Sequence, residues 1–129
     1  MVSHELTDVA PFADLLGIEL IESGENFTML RLSQRKELTN RLGFIHGGVL
    51  TTLLDSAMAR ASRNINGVIG IAGTVDIHVQ FIHPGSGVIH AKGWIEGASK
   101  KLAFARGEIR NESGNIVATS AATMRLHRS

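Results

Sequence analysis

The chemistry in this sequence gathers in one stretch, FIHGGVLTTLLD (44–55), which joins a bare helix start to a lone acid. Glycine costs a helix interior about 1 kcal/mol relative to alanine, so Gly47 and Gly48 belong at a first turn if the run is helical. A helix start carries unpaired N–H groups and roughly half a positive charge. Without side chains at Gly47 and Gly48, a ligand oxygen can approach those groups closely, which is the geometry of an oxyanion hole. Tight packing of the helix start against a sheet would demand glycine equally, and the dipeptide alone does not separate the two readings. Asp55 closes an otherwise uncharged run. Solvation or an arginine partner would account for it. A covered, desolvated face would instead make it a general base.

Spacing adds a constraint. Asp55 follows Gly47 by eight positions, ~12 Å along one helix. One carboxylate cannot serve a carbonyl bound at its own helix start. Two helices packed antiparallel across a two-fold axis would bring Asp55 of one subunit to Gly47 of the other. The small face of Thr51, Asp55 and Ala59 permits that approach. If both residues act, the protein is at least a dimer.

The elements that must position these residues are readable from periodicity. Val49, Leu50, Leu53, Leu54, Ala57 and Ala61 fall in one helical stripe, with Thr51, Thr52, Asp55, Ala59 and Ser62 opposite. Asn64 to Gly67 supply the stop. Upstream, PFADLLG (11–17) reads as a short helix, and IELIES with NFTMLRLS as a hairpin turning at Gly24-Glu25. A polar connection, QRKELTNRLG, follows. After Gly73 the chain alternates, with Val75, Ile77, Val79 and Phe81 on one face of TVDIHVQFIHP. VIHAKGWIEG, KLAFARGEIRN and NIVATSAATMRLH are three more strands, with turn residues at Pro84-Gly85-Ser86-Gly87, Ala98-Ser99-Lys100 and Ser113-Gly114. Two strands, one long helix and four strands of meander-like spacing predict an α+β fold, an antiparallel sheet wrapped around one central helix.

Composition narrows the function. With 129 residues, 43% of them hydrophobic, the chain (1–129) reads as one soluble domain. A net charge of +1 and few aromatics give no case for nucleic acid. The polar start MVSHELTD suggests no signal peptide, and no apolar stretch nears the roughly 20 residues of a membrane helix. Zero cysteines exclude disulfides, thiolate metal sites and a cysteine nucleophile, with the cytoplasm as the expected compartment. GVIGIAG (67–73) lacks dinucleotide-binding spacing, and GGVLTT has no P-loop lysine. His78, His83 and His90 sit on strands or turns without metal-ligand spacing, so no metal is expected. No serine stands in a nucleophile elbow.

Read together, these features resemble the hotdog-fold acyl-CoA thioesterases, most of all the phenylacetate-pathway (PaaI-like) subgroup and its relatives acting on aryl and medium-to-long acyl-CoAs. The resemblance rests on Asn40-Arg41-Leu42-Gly43-Phe44-Ile45-His46-Gly47-Gly48 leading to Asp55, on TVDIHVQFIHPG (74–85) and on ASKKLAFARGEI (98–109). PFADLLGIELIESG also fits the family's lead-in, so nearly the whole chain is covered. The resemblance implies that the Gly47 N–H polarises the thioester carbonyl, flanked by Gly48. Asp55 of the facing subunit activates water or attacks directly to form an anhydride. Asn40 places the carbonyl or the water, and His46 orients the thioester end. Thr74 stands where some relatives hold the water with serine. Thr51 and Ala59 flank the substrate, and Ser99, Lys100 and Lys101 could meet the CoA phosphates, unless they are simply an exposed hairpin tip. No cofactor is implied beyond the CoA carried by the substrate, and the expected assembly is a homotetramer built from dimers. A hotdog hydratase or dehydratase and a non-catalytic acyl-CoA-binding hotdog protein remain as alternatives. The first usually carries a D-x-N-x-x-H pattern that is missing here, and the presence of both Asn40 and Asp55 favours catalysis over binding alone. An acyl-carrier-protein thioester also stays open as substrate.

Overall fold

The structure, a computed structural model, describes residues 10–128. The MVSHELTD start, and with it the expectation about a signal peptide, lies outside them. Helix α1 (Pro11–Leu16) opens on proline, whose fixed φ suits a first turn, and stops at Gly17 in the left-handed conformation, φ 79°. Strands β1 (Glu19–Gly24) and β2 (Phe27–Ser33) form the expected hairpin, turning through Asn26 at φ 62°. A 3₁₀ turn (Lys36–Leu38) interrupts the polar connection. Then come the long helix α2 (Gly47–Arg63) and strands β3 (Val68–Phe81), β4 (Val88–Ala98), β5 (Leu102–Asn111) and β6 (Ile116–Arg128). All six strands join one antiparallel sheet in the order β1-β2-β4-β5-β6-β3. The sheet wraps α2, the hotdog arrangement that the resemblance implies.

The core lies between α2 and the inner face of the sheet. Leu50, Leu53, Leu54, Ala57, Met58 and Ala61 of α2 are buried against residues such as Leu30, Ile89, Ile109 and Met124. At Gly93 of β4 helix and sheet come too close for a side chain. A Cβ there would sit 2.5 Å from the Ala57 carbonyl and 2.8 Å from the Met58 nitrogen. Ser62 departs from the expected polar face and is fully buried. Its hydroxyl donates to the Met58 carbonyl at 2.8 Å, which removes the cost of burying it.

Three features of β3 differ from the sequence reading. The strand begins at Val68, so most of GVIGIAG is strand rather than lead-in. It pairs with β6 and not with β4, so Pro84-Gly85-Ser86-Gly87 is a crossing connection instead of a hairpin turn. Its first half is also bulged at three places. Residues 68–76 lie opposite residues 128–123, nine against six, with Ile69, Ala72 and Val75 left out of the ladder. Strict alternation would set Val75 on the same face as Ile77 and Val79. The third bulge instead sets Thr74 against buried Met124 and leaves Val75 exposed, while Ile77 and Val79 keep their expected face.

Candidate active site

The start of α2 is built by the loop before it. Asn40 organises that loop: its side-chain Oδ1 accepts the Leu42 and Phe44 N–H groups at 2.9 and 3.2 Å. Ile45 is buried, donating its N–H to the Gly85 carbonyl, and the His46 N–H donates to the Leu38 carbonyl, both at 2.8 Å. His46 is the N-cap residue, with extended backbone at φ −60°, ψ 139°.

Each N–H of the first turn can then be traced. The Gly48 N–H donates to His46 Nδ1 at 2.8 Å. Val49 and Leu50 both donate to the His46 carbonyl, at 2.9 and 3.2 Å. The Gly47 N–H is left with no partner among the described residues. The expected pair of free glycine N–H groups is therefore a single one, because the Gly48 N–H is taken up within the chain. The glycines also make room for side chains. A Cβ on Gly48 would come 3.1 Å from His46 Nδ1, and one on Gly47 would rest 3.4 Å from the Phe81 ring.

Gly47 lines a cavity of about 360 Å³ together with Asn40, Leu42, Phe44, Phe81, Ile82 and His83, among others. The apolar lining residues were not singled out from the sequence. No local pattern marks them in the sequence; what sets them apart is structural, Leu42 and Phe81 being 81% and 56% exposed in one chain, unusual for such large apolar groups.

Asp55 lies one face away and further along α2, half-buried. The Thr74 hydroxyl donates to its Oδ1 at 2.8 Å. Thr74 also lies 3.4 Å from Met124 Sδ. This fixes one carboxylate oxygen and leaves the other with no hydrogen bond among the described residues. Asp55 and Ala59 line a second, larger groove of about 960 Å³ with Ser56, Arg60 and Arg63 of the same helix and Ile69 and Ile71 of β3. Thr51 donates its hydroxyl to the Gly47 carbonyl at 2.9 Å, closing the turn between the two regions.

The structure thus brings Asp55 and Thr74 together in one place, and Gly47, Asn40 and His46 in another. The two groups stay apart by the ~12 Å of eight helical residues. Ser99, Lys100 and Lys101 form the exposed tip between β4 and β5 and border neither cavity. Through the register Leu102–Arg125–Gly73 that tip stands two strands, ~10 Å, from the β3 segment carrying Thr74. Among the described residues no cluster of His, Asp and Glu converges on a metal-sized site. No helix among them is long and apolar enough to cross a membrane.

Comparison with known proteins bears on the family and the fold. The family model described as "Thioesterase superfamily" matches residues 42–118. A solved protein from the thioesterase superfamily is 30% identical, with a TM-score of 0.82 over 92% of this chain and 90% of that one. The E. coli PaaI protein from the phenylacetic acid degradation operon is 23% identical, with a TM-score of 0.87 over 97% and 90% of the two chains. A Haemophilus influenzae thioesterase of class EC 3.1.2.- is 20% identical, with a TM-score of 0.85 over 95% and 87%. No curated protein matches the chain.

Proposed function

The chain belongs to the thioesterase superfamily, and from that premise we propose that it hydrolyses an aryl- or medium-to-long-chain acyl-CoA to the free acid and CoA, at sites each shared by two subunits. The observation that carries the reading is the division of one helix into a free donor at Gly47 and a hydroxyl-anchored acid at Asp55, too far apart to meet within one chain. An antiparallel partner helix completes both. The edge strand β3 supports a homo-oligomer. Its outer edge is unpaired among the described residues, and Ile69, Val75 and Phe81 are exposed along it. A long apolar edge of this kind is a template for pairing with a second chain. A tetramer built from two such dimers is the proposed assembly, working in the cytoplasm with no cofactor beyond the substrate's own CoA.

In the reaction, the thioester carbonyl oxygen accepts the Gly47 N–H, aided by the helix dipole. Asn40 supports this from the same cavity: its Oδ1 is held by the loop, and its amide N–H groups have no partner among the described residues and are proposed to serve the substrate. In the facing subunit the Thr74 hydroxyl holds Oδ1 of its own Asp55, and the second carboxylate oxygen takes a proton from water. The water oxygen bonds to the carbonyl carbon, the tetrahedral intermediate collapses, the C–S bond breaks, and the thiolate leaves to be protonated as CoA. The apolar cavity beside Gly47 suits an uncharged acyl group. The Ser99–Lys101 tip, on the Thr74 side of the sheet, is proposed to meet the CoA phosphates.

The test uses a panel of acyl-CoAs with thiol release as readout. Asp55→Asn should fold and lose turnover; near-wild-type hydrolysis by it would defeat the assignment. Mixing it with a Gly47→Pro variant should restore activity, since each mixed dimer keeps one complete site. Confirmed subunit exchange with no recovery would rule out the shared site.

A further inference from the structure

We infer that His46 is a positioning residue, whose imidazole withdraws the Gly48 N–H so that the helix presents the Gly47 N–H alone to the substrate; this rests on the thioesterase reading above. Four observations converge on it. His46 Nδ1 accepts the Gly48 N–H at 2.8 Å. The His46 carbonyl gathers the next two N–H groups of the turn. Its own N–H is anchored to Leu38, which fixes where the ring starts from. Gly48 lacks the Cβ that would press on the ring at 3.1 Å. The second glycine is thus explained by the histidine, not by an approaching ligand.

The arrangement settles the ring's chemistry. A nitrogen that accepts an N–H bond carries no proton, so the neutral ring bears its proton on Nε2. Nδ1 is then occupied and unable to exchange a proton with the substrate. Serine, asparagine or aspartate are the commoner caps, and an aspartate would cap the turn equally well. It would, however, place a full negative charge one residue from the oxygen on which negative charge develops. Imidazole satisfies the donor and adds no charge there.

That difference separates a positioning role from a merely structural one. His46→Ala should lower kcat about tenfold with little change in KM, from loss of the cap. His46→Asn, a neutral cap, should regain most of that loss. His46→Asp should melt no lower than wild type, since an acid is favoured at a helix start, yet keep a depressed kcat. Gly48→Ala, which crowds the ring, should mimic His46→Ala, and the two changes together should cost little more than either. Histidine ¹⁵N spectra of the wild-type protein should show unprotonated Nδ1 and protonated Nε2, a readout independent of any activity. If folded His46→Asn is as slow as His46→Ala, or if Nδ1 carries the proton, the inference is overturned. If the spectra agree but no thioester is cleaved by the wild type, the functional reading fails and the cap stands.

Discussion

Gly47→Pro isolates the central claim, because proline can delete one N–H while leaving the helix intact. Gly47 is the first helical residue, the position at which proline's missing donor and fixed φ are best tolerated. The residue before proline must be extended, and His46 already is, at φ −60°, ψ 139°. No hydrogen bond among the described residues is lost, since the Gly47 N–H makes none. The added Cβ would meet the Phe81 ring at 3.4 Å, an ordinary contact. Stability should therefore hold or rise by about 0.4–1 kcal/mol, the usual gain at a compatible site. Turnover should fall by ~10²–10³, the cost of removing one oxyanion donor. Gly47→Ala adds the same Cβ and keeps the N–H, so its rate should stay within about tenfold of wild type. Thiol release with a medium-chain or phenylacetyl-CoA gives kcat and KM, and thermal melting followed by circular dichroism confirms the fold. A stable proline variant with near-wild-type kcat would refute the donor role. An alanine variant as slow as the proline one would show that space, not the N–H, is what matters.

Other perturbations test the remaining parts. Thr74→Val keeps the side-chain shape but removes the hydroxyl on Asp55; a charge-assisted bond of ~1.5–3 kcal/mol predicts a 10- to 100-fold loss in kcat, and Thr74→Ser should recover it. Equal rates for Val and Ser would exclude the hydrogen bond as the cause. Gly93→Ala drives a Cβ into the α2 backbone, which cannot rotate away, so denaturant melts should show a loss of about 3 kcal/mol, and an unchanged midpoint would contradict the packing. Arg31 donates to exposed Glu19 at 3.1 Å and holds its carboxyl below the ordinary range. The contribution of that pair is present above the ordinary glutamate range and disappears as pH falls through the lowered value. Melting temperatures of wild type and Glu19→Gln should therefore differ slightly at neutral pH and merge in acid; a gap that widens in acid would reverse the sign.

The parts of the site written in local sequence were legible. The spacing of His46, Gly47, Gly48 and Asp55 depends only on helical pitch, and Asn64 stops the helix where composition says it should. What escaped depends on distant pairing or on torsions. Nothing local to Val68–Phe81 states that it pairs with β6, and a period of two puts Val75 on the face of Ile77 and Val79, and Thr74 on the other. The Thr74–Asp55 contact exists because a bulge overrides that period. The His46 cap turns on a side-chain rotation that no spacing encodes. Ser62 falls with the polar face by period, because its bond to the carbonyl four residues back is invisible in composition.

The surplus residues of β3 also bear on how such a chain tolerates change in length. Ile71, Thr74 and Ile77 reach the helix side at every third position, because one residue in each triplet drops out of the ladder. Keep Ile77 opposite Ala122, close the last bulge, and Val75 slides opposite Met124 while Thr74 emerges on the far side of the sheet. Replacing Val75 leaves the aim of Thr74 untouched, whereas slippage by a single residue removes the hydroxyl from Asp55 without altering either side chain. Insertions and deletions in this segment are therefore a greater hazard to the site than most substitutions.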